Sequence, residues 1–412
     1  MVAVIIKTRR HGAPHAVCAA CCAESVRLNL AQRRPKKPGD SDMNPDRRAL
    51  LARSAAACAA AVLPWARAEQ SSPRAVFNPQ VNDWRTFDVT TRIDVVTGGK
   101  ATHLWLPLGA IDSEWQRTQS VETESQVQVE SLRDPVYHAR MVMAKFAAGT
   151  TDVARLSVTE RVQVRNRRVD WSKPTGERLS AEEQAFWTAP TQLLPTDGIV
   201  RETALRAIGG AGTDVAKARA IYEWVVVNAF RDQAVKGCGP GDIRGMLESG
   251  NLGGKCADIN ALFVGLCRSV GVAARDVYGL RLAPSAFGYK QLGGKSENLS
   301  GAQHCRAEVF IPRFGWVAMD PADVTKVMRA ETPEWLRLPS GPVVEPVHRA
   351  LFGAWEGNWM GYNMAHDLVL PDNGGKALGF LMYPVGRVGD EPLDSYQPKS
   401  FEYHISAREV SA

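Results

Sequence analysis

The stretch "NLGGKCADINALFVGLCRSVGVAAR", residues 251–275, places one cysteine straight after two glycines and a lysine, and a second eleven residues on. Ile259, Leu262, Phe263, Leu266, Cys267 and Val270 recur at helical spacing, and Gly271 follows the last of them. That pattern predicts a buried helix from Cys256 to Val270, stopped at Gly271. The two glycines are expected to let the chain turn into it. A side chain in the first turn of a helix faces unpaired N–H groups and the positive end of the dipole, which lowers a thiol's pKa toward the thiolate. The same N–H groups can stabilise an oxyanion on an attacked carbonyl. Cys267 lies three turns further on, about 16 Å along the axis. That separation excludes a disulfide or a shared metal ion with Cys256, and Cys267 reads as core.

A nucleophilic thiol needs a base, and the chain has only eight histidines. His304 opens the strand "HCRAEVFIP", and "GWVAMDPADV" returns as a second strand after a tight turn at Arg313-Phe314. A three-residue turn at 312–314 sets residue 322 opposite His304, with Asp320 one step away on the same face. A two-residue turn sets Asp323 opposite instead. Asp320 is the preferred partner because Pro321 closes the strand beside it. Such a carboxylate holds the imidazole tautomer and stabilises the imidazolium. Cys305 follows His304 and is expected on the opposite strand face, away from this set. A disulfide between Cys305 and Cys238, in the loop "GCGPGD" (237–242), is left open.

Outward from this region the pattern changes. Between Trp84 and Val164 apolar and polar residues alternate in short runs separated by Gly or charged breaks, the mark of antiparallel strands. The expected organisation is a β domain over 69–170, a proline-punctuated linker over 171–213, a core over 214–338 and an accessory segment over 339–412. Within the core, "TDVAKARAIYEWVVVNAF" predicts a helix with Ala216, Ala220, Ile221, Trp224 and Val225 on its apolar face. Residues 283–303 read as a Gly/Ser-rich loop that could gate a cleft, with Phe287 and Tyr289 as wall residues. "GGKS" (293–296) and "GGKC" (253–256) lack the earlier glycine of a phosphate-binding loop, so no nucleotide site is expected.

The formal charge of +6 is unevenly spread. Residues 1–68 hold 12 Lys/Arg against 4 Asp/Glu, and the rest hold 38 against 40. Residues 69–412 therefore show no nucleic-acid footprint. "DRRALLARSAAACAAAVLPWARA" pairs Arg47-Arg48 with an Ala-rich apolar run and a small-x-small site at Ala66-Arg67-Ala68. It resembles a twin-arginine export signal over 43–68. The run is too short to span a bilayer, so no stable membrane span is expected once it is removed. The expected location is periplasmic or otherwise exported. Met43 is the expected start, with 1–42 an over-extended reading. His11, His15, Cys18, Cys21 and Cys22 have ligand-like spacing but no second half, and neither metal nor cofactor is expected.

"GGKCADINALFVGLCRSVGVAAR" and "QHCRAEVFIPRFGWVAMDPADV", in that order, resemble the bacterial transglutaminase-like superfamily, most convincingly over Asp214–Lys326. The resemblance implies an α+β fold: a papain-like core with a cysteine-bearing helix packed on an antiparallel sheet, preceded by an N-terminal β-sandwich-like domain. It also implies a catalytic Cys256, His304 and Asp320 and a thioester intermediate. The Cys256 N–H would serve the oxyanion hole, with Trp224 as a candidate side-chain partner. The implied activity is protease, amidase or transglutaminase-type acyl transfer on a protein, a peptide or a peptidoglycan peptide. The alternative is a binding or scaffolding protein that keeps such a core without chemistry.

Overall fold

Period-two alternation between Arg85 and Val164 resolves into strands whose buried side chains fall on one face, as at Phe87, Val89, Thr91, Ile93 and Val95. The computed structural model describes residues 76–397 and 401–410. The expected leader, the 1–42 segment and its His/Cys cluster lie outside the described residues. One antiparallel sheet runs in the order 402–410, 85–96, 153–164, 116–125. A second runs 391–392, 385–388, 102–108, 140–146, 129–133. Ile93, Leu156 and Val158 of the first meet Leu104, Leu106, Val142 and Phe146 of the second in one apolar layer. Burying each such side chain contributes about 1.5–3 kcal/mol, which holds the two faces together as a sandwich. The outer face of the second sheet is buried too, Trp105, Met141 and Met143 packing on Leu368, Leu370 and Leu381.

The core sheet has the order 315–319, 303–311, 274–281, 359–363, all antiparallel. The cysteine helix, Cys256–Ser269, packs on the strand Gln303–Ile311 and is ringed by Gly198–Ile208, Asp214–Asn228, Ile243–Ser249 and Pro321–Ala330. Enclosed on all sides, it buries every one of its 14 residues. Gly271 ends it at a φ of 81°, with Val272 N–H returning to Cys267 O and Gly271 N–H to Arg268 O. These two bonds form a Schellman cap, which needs the left-handed residue that glycine supplies.

Three expectations change at this level. The stretch 171–213 is not a plain linker: it carries Ala181–Thr188, started by a Ser180/Glu183 capping box, and Gly198–Ile208. Pro174, Pro190 and Pro195 lie outside those helices and bound them rather than break them. The segment 339–412 is not a separate accessory piece, because it supplies a strand to each of the three sheets. Short edge strands from a distant part of the chain satisfy backbone groups that the sheets would otherwise leave open. Helix Asp214–Asn228 buries Ala218, Ile221, Tyr222, Val225 and Val226, a face turned slightly from the one expected, which leaves Trp224 half-buried.

Candidate active site

Cys256 opens its helix, as its sequence context predicts, but the glycines before it act differently from expectation. Neither Gly253 nor Gly254 takes a positive φ. They form a two-residue parallel bridge with Phe230-Arg231. A Cβ on Gly253 would lie 2.6 Å from the Phe230 ring, and one on Gly254 2.6 Å from Asp258 Cβ. Close approach, not turning, makes them glycines.

Asp258, two residues after Cys256 and absent from the candidates drawn from sequence, organises this end. Its buried carboxylate accepts the N–H groups of Gly241 and Lys255, both at 2.9 Å. It thereby ties the 237–242 loop to the helix start, and Ala257 N–H closes the tie on Cys238 O at 2.9 Å. Gly239, at φ +92°, has no room for a Cβ beside that carboxylate. Burial pushes the Asp258 carboxyl up to about 6 against those two amides. A charged residue inside an apolar helix is the signal that could have marked it.

The clamp delivers Cys238 to Cys256. The neighbouring Cys238 thiol, which donates to Gln303 O at 3.2 Å, then the Cys305 thiol and the His304 contact hold the Cys256 thiol well below its ordinary value, against the effect of burial. Cys238 and Cys305 are pushed up correspondingly. Among the described residues all four cysteines are free thiols, so no disulfide joins Cys238 to Cys305. The expectation that Cys305 stays away from the site is corrected. Strand alternation separates neighbouring Cβ directions but does not set their distance from a third residue. Here the helix crosses the strand closely enough for Asn260 Nδ2 to donate to Cys305 O at 2.8 Å. Cys267 is buried core, as expected.

His304 and Asp320 meet at 2.8 Å through His304 Nε2 and Asp320 Oδ2. The hairpin turn has three residues, 312–314, between Ile311 and its partner Gly315. The second strand, however, ends at Met319. Asp320 caps the helix Pro321–Ala330, accepting from Asp323 N–H at 3.0 Å, with Pro321 in the first turn. "PADV" is helix rather than strand because proline suits a first helical turn. That turn also brings Asp323 to 3.4 Å from His304 Nε2, so both carboxylates considered from sequence reach the imidazole, and Asp320 is the nearer.

Buried cations surround the pair. Arg281 donates to Asp323 at 2.6 Å, and Arg306 Nε stands 3.6 Å from Asp320 Oδ2. Against burial, Arg281 and then His304 hold Asp323 well below the carboxylate range. Burial and the neighbouring Asp323 charge raise Asp320. For His304, burial and Arg281 act against protonation, but Asp323 and Asp320 outweigh them and its pKa rises. Asn260, one turn after Cys256, joins the parts by donating to Asp320 Oδ1 at 3.2 Å and accepting from Ala322 N–H. With Nε2 facing the carboxylates, Nδ1 is the nitrogen left for the thiol.

Among the described residues, His304, Asp320 and Asp323 are the one set whose donor atoms lie close enough for a metal ion, within 4.8 Å of one another. Arg281 and Arg306 already balance those carboxylates, and a divalent ion there would meet two buried guanidiniums. The donor set suits an imidazolium better.

Cys256 and His304 line a cleft of about 710 Å³. Trp224 does not line it. Of the loop 283–303, Lys290, Lys295 and Ser300 form wall, whereas Tyr289 is buried with its hydroxyl on Val343 O and Phe287 packs on Phe77. Gln303, 7 % exposed, also lines the cleft next to His304, and its buried Nε2 has no acceptor in hydrogen-bond geometry.

The sequence profile of the transglutaminase-like superfamily matches residues 201–321, a span that includes Cys256, His304 and Asp320. An uncharacterized protein of Haemophilus influenzae is 33% identical over 348 residues, covering 80% of this chain and 92% of that protein. Residues 201–321 of the chain belong to the transglutaminase-like superfamily. Two solved structures are similar to this superfamily member at low identity. One is a proposed cysteine protease from Cytophaga hutchinsonii: 14% identity, TM-score 0.49, 81% of this chain and 93% of that one. The other is the periplasmic domain of TgpA from Pseudomonas aeruginosa: 12% identity, TM-score 0.33, 58% and 88%. The α+β core with its cysteine helix on an antiparallel sheet is the fold read from the sequence. Among the described residues no helix is long and apolar enough to cross a membrane.

Proposed function

We propose that this protein is an exported, thiol-dependent acyl-transfer enzyme using Cys256, His304 and Asp320, with a protein, peptide or peptidoglycan peptide as substrate. The observation that carries the reading is the Cys256 thiol at a helix start, in contact with a buried histidine whose other nitrogen is held by Asp320 at 2.8 Å. The Cys256 thiolate adds to a carboxamide carbon, and the carbonyl π pair moves onto oxygen. Collapse of that intermediate breaks the C–N bond while imidazolium His304 donates its proton to the departing nitrogen. The thioester is then attacked by water or an amine, which loses its proton to His304 as the thiolate leaves. The Cys256 N–H and the Gln303 side chain are the donors assigned to the oxyanion.

Direct alkylation tests the reading. With the thiol's pKa lowered and the histidine's raised, the reactive thiolate–imidazolium form spans the interval between those two displaced values, which belong to the pair. Iodoacetamide should label Cys256 selectively at pH 6, where an ordinary thiol near 8.5 is almost wholly protonated. His304→Ala should move that profile toward ordinary thiol behaviour. Labelling of Cys256 no faster than a free thiol would leave the scaffolding alternative in its place. The export part rests on the leader at 43–68, and mass spectrometry of the secreted chain should find an N-terminus near Glu69. Any peptide from 1–42 in that form counts against it.

A further inference from the structure

Among the described residues, the cleft above Cys256 is lined by Arg231, Lys255, Arg281, Lys290, Lys295 and Lys326, and by no Asp or Glu. Of these six, only Arg281 has an ion-pair partner among the described residues, namely Asp323. Elsewhere many surface cations are paired, as Arg85 is with Glu409, Arg161 with Asp88 and Arg244 with Asp197. The imbalance does not follow from composition, because residues 69–412 have 38 basic and 40 acidic side chains.

The carboxylates on neighbouring elements offset it only in part, Asp258 acting on Arg231 and Asp323 on Lys326. Asp258 is occupied by the Gly241 and Lys255 amides, and Glu331 accepts Gln291 N–H. Lys326 Nζ donates to a neutral acceptor, Gln291 O, at 2.6 Å. Burial first, then Arg281, pushes its ammonium down to about 8, as expected where positive charge is crowded.

Like charges that converge on a cavity repel one another, and the arrangement is relieved when an anion enters. The Cys256 thiolate supplies one negative charge at the floor, but it does not reach the rim, where Lys290 and Lys295 stand exposed on the loop 283–303. We propose that the cleft takes an acidic peptide, with carboxylates flanking the carbonyl presented to Cys256. Peptide is the class favoured because a thiolate acts on an acyl carbon. The acyl-donor part and the choice of peptide rest on the function proposed above, whereas the preference for acidic over neutral or basic ligands rests on the charge of the cleft alone.

Binding therefore provides the test, with full-length Cys256→Ala protein, which holds peptide without turning it over. The probes are dansyl octapeptides with a central Gln flanked by Glu, by Gln or by Lys. At low ionic strength the Glu peptide should bind about tenfold tighter than the Gln peptide, and the Lys peptide weakest. The preference should fade toward 1 M salt, where the Debye length is about 3 Å. Adding Lys290→Gln with Lys295→Gln should cut the preference severalfold, while Lys173→Gln, on a remote exposed site, should not. Equal binding of the three peptides, or a preference untouched by the rim double variant, overturns the proposal. The two readings separate cleanly. A Glu preference in a protein whose wild-type Cys256 resists alkylation keeps the acidic-peptide site and removes the acyl donor. A reactive Cys256 with equal peptide binding removes the acidic-peptide site and keeps the thiol chemistry.

Discussion

Cys256→Ala is expected to abolish turnover, lowering kcat/KM by roughly 10⁴–10⁶-fold in an assay of ammonia or amine release from glutamine-containing peptides. Folding should be nearly unaffected, since the thiol meets polar neighbours and alanine leaves the helix start intact. The two carboxylates at His304 make the comparison with Asp320→Asn informative. Asparagine in place of Asp320 can present its NH₂ to Nε2, disfavouring the tautomer that keeps the proton there. Asp323 remains at 3.4 Å from the same nitrogen and compensates in part. A loss on the order of 10²–10³-fold is therefore expected, smaller than where a single carboxylate orients the histidine. Residual activity of Cys256→Ala within tenfold of wild type would remove the covalent mechanism altogether. Loss of the histidine's raised pKa in Asp320→Asn, measured by the pH dependence of Cys256 alkylation, distinguishes positioning from simple misfolding.

Glu308→Gln should be the most destabilising single polar change. Glu308 lies fully buried on the strand Gln303–Ile311, bonded to Arg275 on the adjacent strand and to Arg167 just past the last long sandwich strand. Both guanidiniums are themselves largely buried. A glutamine would turn an NH₂ toward one of them and remove the shared carboxylate, leaving Arg167 only the exposed Glu114 at 3.9 Å, at a cost of roughly 3–5 kcal/mol. Urea denaturation at pH 7 measures this, and a loss below about 1 kcal/mol would show that water reaches the site. The pH dependence has a definite sign. Burial opposes ionisation of Glu308, but Arg275 and Arg167 outweigh it and hold its pKa below the ordinary glutamate value. Its contribution is therefore complete above the unfolded-state value near 4.5 and is lost as pH falls through the lower folded value. In Glu308→Gln that part of the acid sensitivity should disappear. Cys256 alkylation in the folded variant should stay near wild type, because Glu308, Arg275 and Arg167 do not line the cleft.

Local patterns made much of this protein legible. Glycines close to a cysteine, an apolar stripe and a terminal glycine defined the helix Cys256–Ser269, since caps and helical periodicity are written within a few neighbouring residues. Alternation did the same for the sandwich. The His304–Asp320 pairing was accessible because one hairpin with a three-residue turn relates the two residues. Register arithmetic failed only beyond Met319, where Pro321 starts a helix and lets Asp323 join Asp320.

What only the tertiary structure decided involves residues that meet through the chain's path rather than through their neighbours. Cys238 and Cys305 reach Cys256 from 18 and 49 positions away, one through a loop clamped by Asp258 and the other through a helix crossing a strand. The five cations of the cleft without an ion-pair partner among the described residues come from four separate parts of the chain, each unremarkable by itself. The last seventy residues look like leftovers until their short strands fill edges in all three sheets. The sequence by itself determined the cysteine helix and its histidine hairpin, because backbone periodicity and capping act locally. The thiol cluster, the paired carboxylates and the charge of the cleft were decided by packing, because electrostatic and hydrogen-bond neighbours exist only once distant segments are brought together.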